Sequence, residues 1–190
     1  YTANGVVSTI DPATEDSSLK YYLAQALSIR AFDYFVLAQM YQHTYKGNES
    51  KPCVPLITNE NANEAAANGC ARSTVQEVYD QIMSDLNKAV SLLEATDKTR
   101  GTDKRYISKE VAYGLRARVN LTMQNWTAAA EDAQKAISGS GAPYSREEAG
   151  APGFTESSDH SWMWAIIIAV VYSLIKTMGL SADAVDAWLN

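Results

Sequence analysis

Two stretches of this chain hold side chains suited to gripping a sugar. The segment Tyr41-Gln42-His43-Thr44-Tyr45-Lys46-Gly47-Asn48-Glu49 mixes aromatic rings with amides and a histidine. Rings stack on the C–H faces of a sugar, and planar polar groups bond its hydroxyls. Tyr41, His43, Tyr45 and Asn48 are therefore candidate ligand contacts. The plainer alternative, which we favour, is a helix end with ordinary loop polarity, since loops commonly carry these residues. Further on, Trp162 and Trp164 alternate, so a strand would put both rings on one face. They would then form an aromatic platform or, the favoured reading, pack into a core beside Ile166 and Ile168.

Nothing in the chain supplies the frame for covalent chemistry. Glu147, Glu148, Glu156 and Asp159 lie in Gly-rich, irregular sequence. A glycosidase needs two carboxylates on rigid elements with opposed pKa shifts, and such a loop offers no such frame. His43 and His160 are the only histidines, and Cys53 and Cys70 stand at no metal-ligand spacing, so no metal site is expected. There is no G-x-S-x-G, Walker or dinucleotide pattern, so we assign no catalytic residue and no cofactor. Cys53 and Cys70 share one loop-like stretch. A disulfide stapling that loop and two unpaired thiols both stay open, because two cysteines alone do not show connectivity.

Composition narrows the partners. The chain has 190 residues, 46% hydrophobic and 20% charged, with a net charge of −6. That size and balance suit one folded domain, or one plus an incomplete second. The negative charge argues against nucleic acid, whose phosphates call for basic surface, and against docking on an anionic membrane. Eleven tyrosines and four tryptophans stand against three phenylalanines, a bias toward rings with a polar handle that suits half-buried surfaces. The chain opens at Tyr1 without a methionine or a signal-peptide pattern, and is expected to be a processed form or a piece of a longer protein.

The elements that must position these residues are helical. Residues 1–17 are polar with turn formers and suggest an entry loop. From Ser18 to about Tyr45 runs a pattern without Gly or Pro, apolar on most faces, as expected of a central helix. Arg30 in its middle is expected to lie along the surface or to pair with a carboxylate. Residues 46–72 are rich in Asn, Gly and Pro and form a long loop, with Cys53–Thr58 suited to an extended piece. Ser73 and Gln76 suggest a capping box, followed by the stripe Val75, Val78, Tyr79, Ile82, Leu86, Ala89, Val90 and Leu93. The outer face would carry Glu77, Asp80, Asp85, Asn87 and Lys88. A polar link then leads to a helical hairpin at Ser108–Ile137. There Ala112, Leu115, Val119 and Met123 face Trp126, Ala129, Ala130, Ala133 and Ile137, and Asn125 is placed to cap the second helix. The sequence after Ile137 is Gly/Pro-rich and irregular. Trp162–Ile175 is apolar for fourteen residues, short of the roughly 20 that span a bilayer. A strand is favoured near Trp162–Ile168, and a short helix from Ser181.

The order of these pieces resembles one family. LSIRAFDYFVLAQMYQ, a loop holding CVPLIT, STVQEVYDQIMSDLNKAVSLL, ISKEVAYGLRARVNLTMQNWTAAAEDAQKAI and SWMWAI follow one another as in the SusD/RagB proteins of Bacteroidetes glycan uptake. The resemblance covers about Ser17 to Ile168. It implies a mainly α fold of tetratricopeptide-like helical hairpins with irregular loops, occupying residues 1–168, with 169–190 unassigned. It implies a non-catalytic, lipid-anchored protein of the outer-membrane surface that binds an oligosaccharide beside a SusC-like TonB-dependent transporter. A tetratricopeptide-type scaffold for protein partners is the alternative, and a glycosidase a distant third.

Overall fold

The computed structural model describes residues 1–42, 44–58, 60–150 and 160–164. They form seven helices: α1 Thr2–Thr9, α2 Ser17–Tyr41, α3 Ala62–Asn68, α4 Val75–Glu94, α5 Lys109–Thr122, α6 Trp126–Ser138 and α7 Arg146–Ala149. Among the described residues there is no strand, only an isolated antiparallel bridge between Pro52 and Thr74. The mainly α fold is as the sequence predicts. His43, the boundary at 168, Ile166 and Ile168, and the helix expected from Ser181 lie outside the described residues.

The long helix α2 is central. Asp16 caps its start by accepting the Leu19 N–H at 2.8 Å. With α1 on one side and α4 and α5 on others, it has several apolar partners, which is why its hydrophobic residues show no single stripe. Tyr21, Leu23, Ala24, Leu27, Ala31, Phe35 and Ala38 are buried. Every member of the α4 stripe is buried as well, and α2 against α4 is the main packing of the molecule.

Arg30 pairs across this interface. Its Nε and Nη2 donate to the two Asp85 oxygens, both at 2.7 Å, and Nη1 donates to Asn4 Oδ1 at 3.1 Å. Asp85 is therefore not on an outer face as its spacing implied; its side chain is 3% exposed. Asn4 in turn donates to the Ile57 carbonyl at 2.7 Å. These bonds, together with Val7 and Ile10 packing on the core, explain why residues 2–9 are helical where the sequence suggests a loop. Tertiary contacts override weak helix formers there.

The capping box of α4 sits one residue later than the sequence suggests. Thr74 accepts the Glu77 N–H, and the Glu77 carboxylate accepts the Thr74 N–H at 2.7 Å. Ser73 is unavailable because its backbone pairs with Cys53 and Val54, which keeps the chain extended past it. The same pairing decides the cysteines. Cys53 lies opposite Ser73, while Cys70 lies opposite Leu56, its Sγ 3.9 Å from that carbonyl. Three residues of extended chain separate the two positions by about 10 Å, beyond disulfide reach. Both thiols are free. The loop also contains α3, a short helix the sequence did not announce, ended by Gly69 at φ +79°.

The helical hairpin forms as predicted, with one rotation. Ser108 caps α5, and the turn passes through Gln124 at φ +63°. Asn125 precedes α6, yet its side chain makes no cap; it donates to Asn120 Oδ1 at 3.3 Å. The face of α6 turned to α5 is Ala129, Asp132 and Ala136, rather than the full apolar set. Arg116 decides this: its Nε and Nη2 hold the two Asp132 oxygens at 2.8 and 2.7 Å, drawing that carboxylate inward. Trp126, Ala130 and Ile137 are left outside, and line an apolar groove of about 430 Å³ with Gly114, Ala117 and Leu121.

Candidate functional site

A cleft of about 350 Å³ opens where the start of α5, the end of α6 and the segment 160–163 meet. Its position follows from one arginine in the link before α5. Arg100 Nη1 donates to the carbonyls of Tyr106, at 3.0 Å, and Met163, at 2.6 Å. The second bond ties the late segment to the helical body and sets Trp162 on the cleft wall. Burial draws the Arg100 pKa below its ordinary value, opposed by the Glu110 carboxylate, yet a guanidinium stays charged near neutrality.

The remaining lining is polar and charged. Lys104, Ser108 and Glu110 come from the link and the first turn of α5, and His160 and Trp162 from the opposite wall. The Glu110 side chain runs across Gly139, where an added Cβ would stand 2.6 Å from Glu110 Cγ. Any larger residue at 139 pushes Glu110 aside, so the glycine sets where this carboxylate lies. His160 stands edge-on to Tyr144, ring centroids 4.4 Å apart. The arrangement offers one aromatic face and several hydrogen-bonding groups around a space of monosaccharide to disaccharide scale. Among the described residues that line it there is no nucleophile with an adjacent base and no second carboxylate opposite Glu110.

The structure separates the residues picked out by sequence. Of those that are described, Trp162 alone lines this cleft. Trp164 packs edge-on against Phe32 at 5.2 Å, and its Nε1 donates to the Arg105 carbonyl at 3.2 Å. The two tryptophans therefore do not share a platform, since residues 162–164 are not a strand. Tyr45 is buried, its ring 4.8 Å from that of Tyr79 and its hydroxyl donating to Gln76 at 2.6 Å. Asn48 donates to the Thr44 carbonyl at 2.7 Å and shapes its own turn. Tyr41, at the end of α2, is exposed. Arg100, Lys104, Glu110 and His160, which line the cleft, were not singled out from sequence. The signal available was charge density: five of the chain's 16 basic residues lie between Lys98 and Lys109.

A second cavity, of about 360 Å³, lies between α1, α2 and the Pro55–Ile57 segment. Burial raises the pKa of Asp33 on its wall. Its arginine, Arg30, is taken up by Asp85 and Asn4, and its tyrosine, Tyr34, bonds the N–H and the carbonyl of Ile57, both at 2.9 Å. These groups serve the packing of α1. No group of three or more metal-ligating side chains occurs among the described residues, and none of their helices is long and apolar enough to cross a membrane.

Comparison with known proteins accounts for this architecture. A SusD-like family model, described as starch-binding and associating with the outer membrane, matches residues 1–121. A SusD-like carbohydrate-binding protein from Bacteroides vulgatus is 29% identical, with a TM-score of 0.74 over 85% of this chain and 33% of its own. A SusD superfamily protein from Bacteroides thetaiotaomicron is 25% identical, TM-score 0.62, over 75% of this chain and 30% of its own. A laminarin-binding SusD-like protein is 26% identical, TM-score 0.56, over 74% of this chain and 28% of its own. The chain thus spans about a third of the length of the solved structures it matches. A comparison with curated proteins finds no match.

Proposed function

The chain belongs to the SusD-like family, and from that membership we propose that it serves in a cell-surface glycan-binding protein of a TonB-dependent nutrient uptake system. The reading is carried by the likeness, at a TM-score of 0.74, to a SusD-like carbohydrate-binding protein. The cleft beside Trp162 supports it, because an exposed ring edged by hydrogen-bonding groups is what a sugar needs. Binding is by stacking and hydrogen bonds, without covalent chemistry. Trp162 is the principal ring, and Tyr41 and His43 are candidates for a longer glycan. Tyr45, Asn48 and Trp164 act by holding their segments in place.

The protein works at the outer-membrane surface, lipid-anchored, beside a SusC-like transporter. One observation favours a protein-binding role for the other face: the apolar groove at Leu121, Trp126, Ala130 and Ile137. In the uptake system this is a surface for the transporter, and a tetratricopeptide-type scaffold without a glycan would use the same groove. Isothermal titration of the intact protein against malto-, laminari- and other oligosaccharides separates the two. Binding that Trp162→Ala weakens by roughly tenfold or more supports the uptake reading. No heat with any glycan, alongside co-purification of an unrelated protein on the groove, would leave the scaffold. Release of reducing ends would instead make the protein a glycosidase.

A further inference from the structure

The helix α2 is apolar on nearly every side, and a helix of that kind belongs inside a fold, covered all round. Packing by α1, α4 and α5 covers much of it. One face is left. Tyr22, Ile29, Val36 and Met40 recur at spacings of seven, seven and four, which aligns them along the helix. Tyr22 is met by Lys98, whose ammonium lies 4.4 Å from its ring centroid. Ile29, Val36 and Met40 belong neither to the buried core nor to the partly buried residues packed against it. Ile29 is 40% exposed and Met40 70%.

Trp164, the last described residue, lies at the edge of this face. Its ring stands edge-on to Phe32 at 5.2 Å. Phe32 is one turn from both Ile29 and Val36, so Trp164 borders the stripe. The approach of the chain is fixed from behind, by Arg100 on the Met163 carbonyl at 2.6 Å and by Trp164 Nε1 on the Arg105 carbonyl at 3.2 Å. The eleven residues that follow, 165–175, read AIIIAVVYSLI and carry no charge. A segment of that composition gains from apolar cover as much as the stripe does. At the rise of a helix, that length matches the reach from Ile29 to Met40, about 16 Å.

We propose that residues 165–175 dock along the face of α2 formed by Ile29, Val36 and Met40 and complete the cover of the central helix. The occupant is this chain's own segment rather than a second copy. Trp164 delivers it to the edge of the stripe, so it meets that face at an effective concentration no free copy reaches. Docking there also holds the stretch bearing Trp162 from its far end, as Arg100 holds it from the near one. The assignment does not rest on the glycan-binding reading.

Thiol labelling of the intact chain, in a Cys70→Ser background, tests this. Ile29→Cys and Met40→Cys report on the stripe, and Gln39→Cys reports on an exposed position on another side of the same helix. Both stripe variants are expected to react at least about tenfold more slowly than Gln39→Cys. Adding Ile168→Asp and Val171→Asp puts charge where it would be buried, and should restore the rate while circular dichroism shows the helices retained. A short bismaleimide should also join Val36→Cys to Val170→Cys within one chain, a readout that needs no charged variant. Labelling as fast as at Gln39→Cys, or no such link within a chain, overturns the proposal. Protection that disappears on dilution to about 1 μM gives the face to a second copy instead, and overturns it too.

Discussion

Replacing Asp85 with alanine isolates the pair that ties α2 to α4 and, through Asn4, to α1. The Asp85 side chain is 3% exposed and that of Arg30 11%, so the pair sits almost outside solvent. Two Arg30 bonds at 2.7 Å and one from Gln81 Nε2 at 2.9 Å end on this carboxylate. The hydrogen bond to Asp85 raises the Arg30 pKa against the lowering effect of burial; with Asp85 gone the burial effect remains, yet a guanidinium still keeps its charge near neutrality. Leaving such a charge buried and unpaired costs about 3–5 kcal/mol. For a domain of this size each kcal/mol lowers the melting temperature by about 2–4 °C, so Asp85→Ala is expected to melt roughly 10 °C lower. The double variant Arg30→Met/Asp85→Leu removes both charges and fills similar space. It should recover most of the loss, short by about 1 kcal/mol for the bonds that Asn4 and Gln81 give up. Thermal unfolding followed by circular dichroism reads both. If Asp85→Ala lies within about 1 kcal/mol of the parent, or the double variant falls as far as the single, the pair does not organise this interface.

Three further outcomes follow from individual contacts. Thr74→Ala removes the cap of α4 and is expected to cost about 1 kcal/mol in chemical denaturation, whereas Ser73→Ala, outside the box, costs less. A thiol reagent should label Cys70 in the folded protein and leave Cys53 untouched, since burial hides the Cys53 thiol and raises its pKa. Melting should accordingly be the same with and without reductant; a lower melting temperature in reductant would show a disulfide. Burial pushes the Tyr79 hydroxyl to about 12, so its neutral form contributes stability that is complete below the ordinary tyrosine range near 10. That contribution is lost as pH rises toward 12, and ultraviolet titration should show Tyr79 ionising only as the chain unfolds.

Much of the fold was legible in the amino acids because it rests on local rules. The absence of Gly and Pro from Ser17 to Tyr41, the eight-residue stripe of α4 and the alanine-rich hairpin each follow from spacing along one helix. So does the pairing of Arg30 with some carboxylate, since a mid-helix arginine among apolar neighbours needs one. What spacing could not settle was which groups meet across elements. Asp85 was expected outside and lies inside because Arg30 reaches it. The apolar set of α6 was expected to face α5, and Asp132 takes part of that face because the Arg116 guanidinium holds it there, leaving Trp126, Ala130 and Ile137 outside.

The site divides in the same way. Trp162 announced itself by type, as a ring of the kind that meets sugars. Its separation from Trp164 did not, because that depends on Arg100 taking the Met163 carbonyl and on Phe32 receiving the second ring. Tyr45 likewise looked available until Gln76 and Tyr79 closed over it. The sequence by itself determined the long helices α2, α4, α5 and α6, their order and hence the family. Tertiary structure alone decided which polar groups are spent within the helical core and which line the cleft. The physical reason is that a helix is specified by residues three and four apart, whereas a cleft is specified by residues some sixty apart whose desolvation must balance.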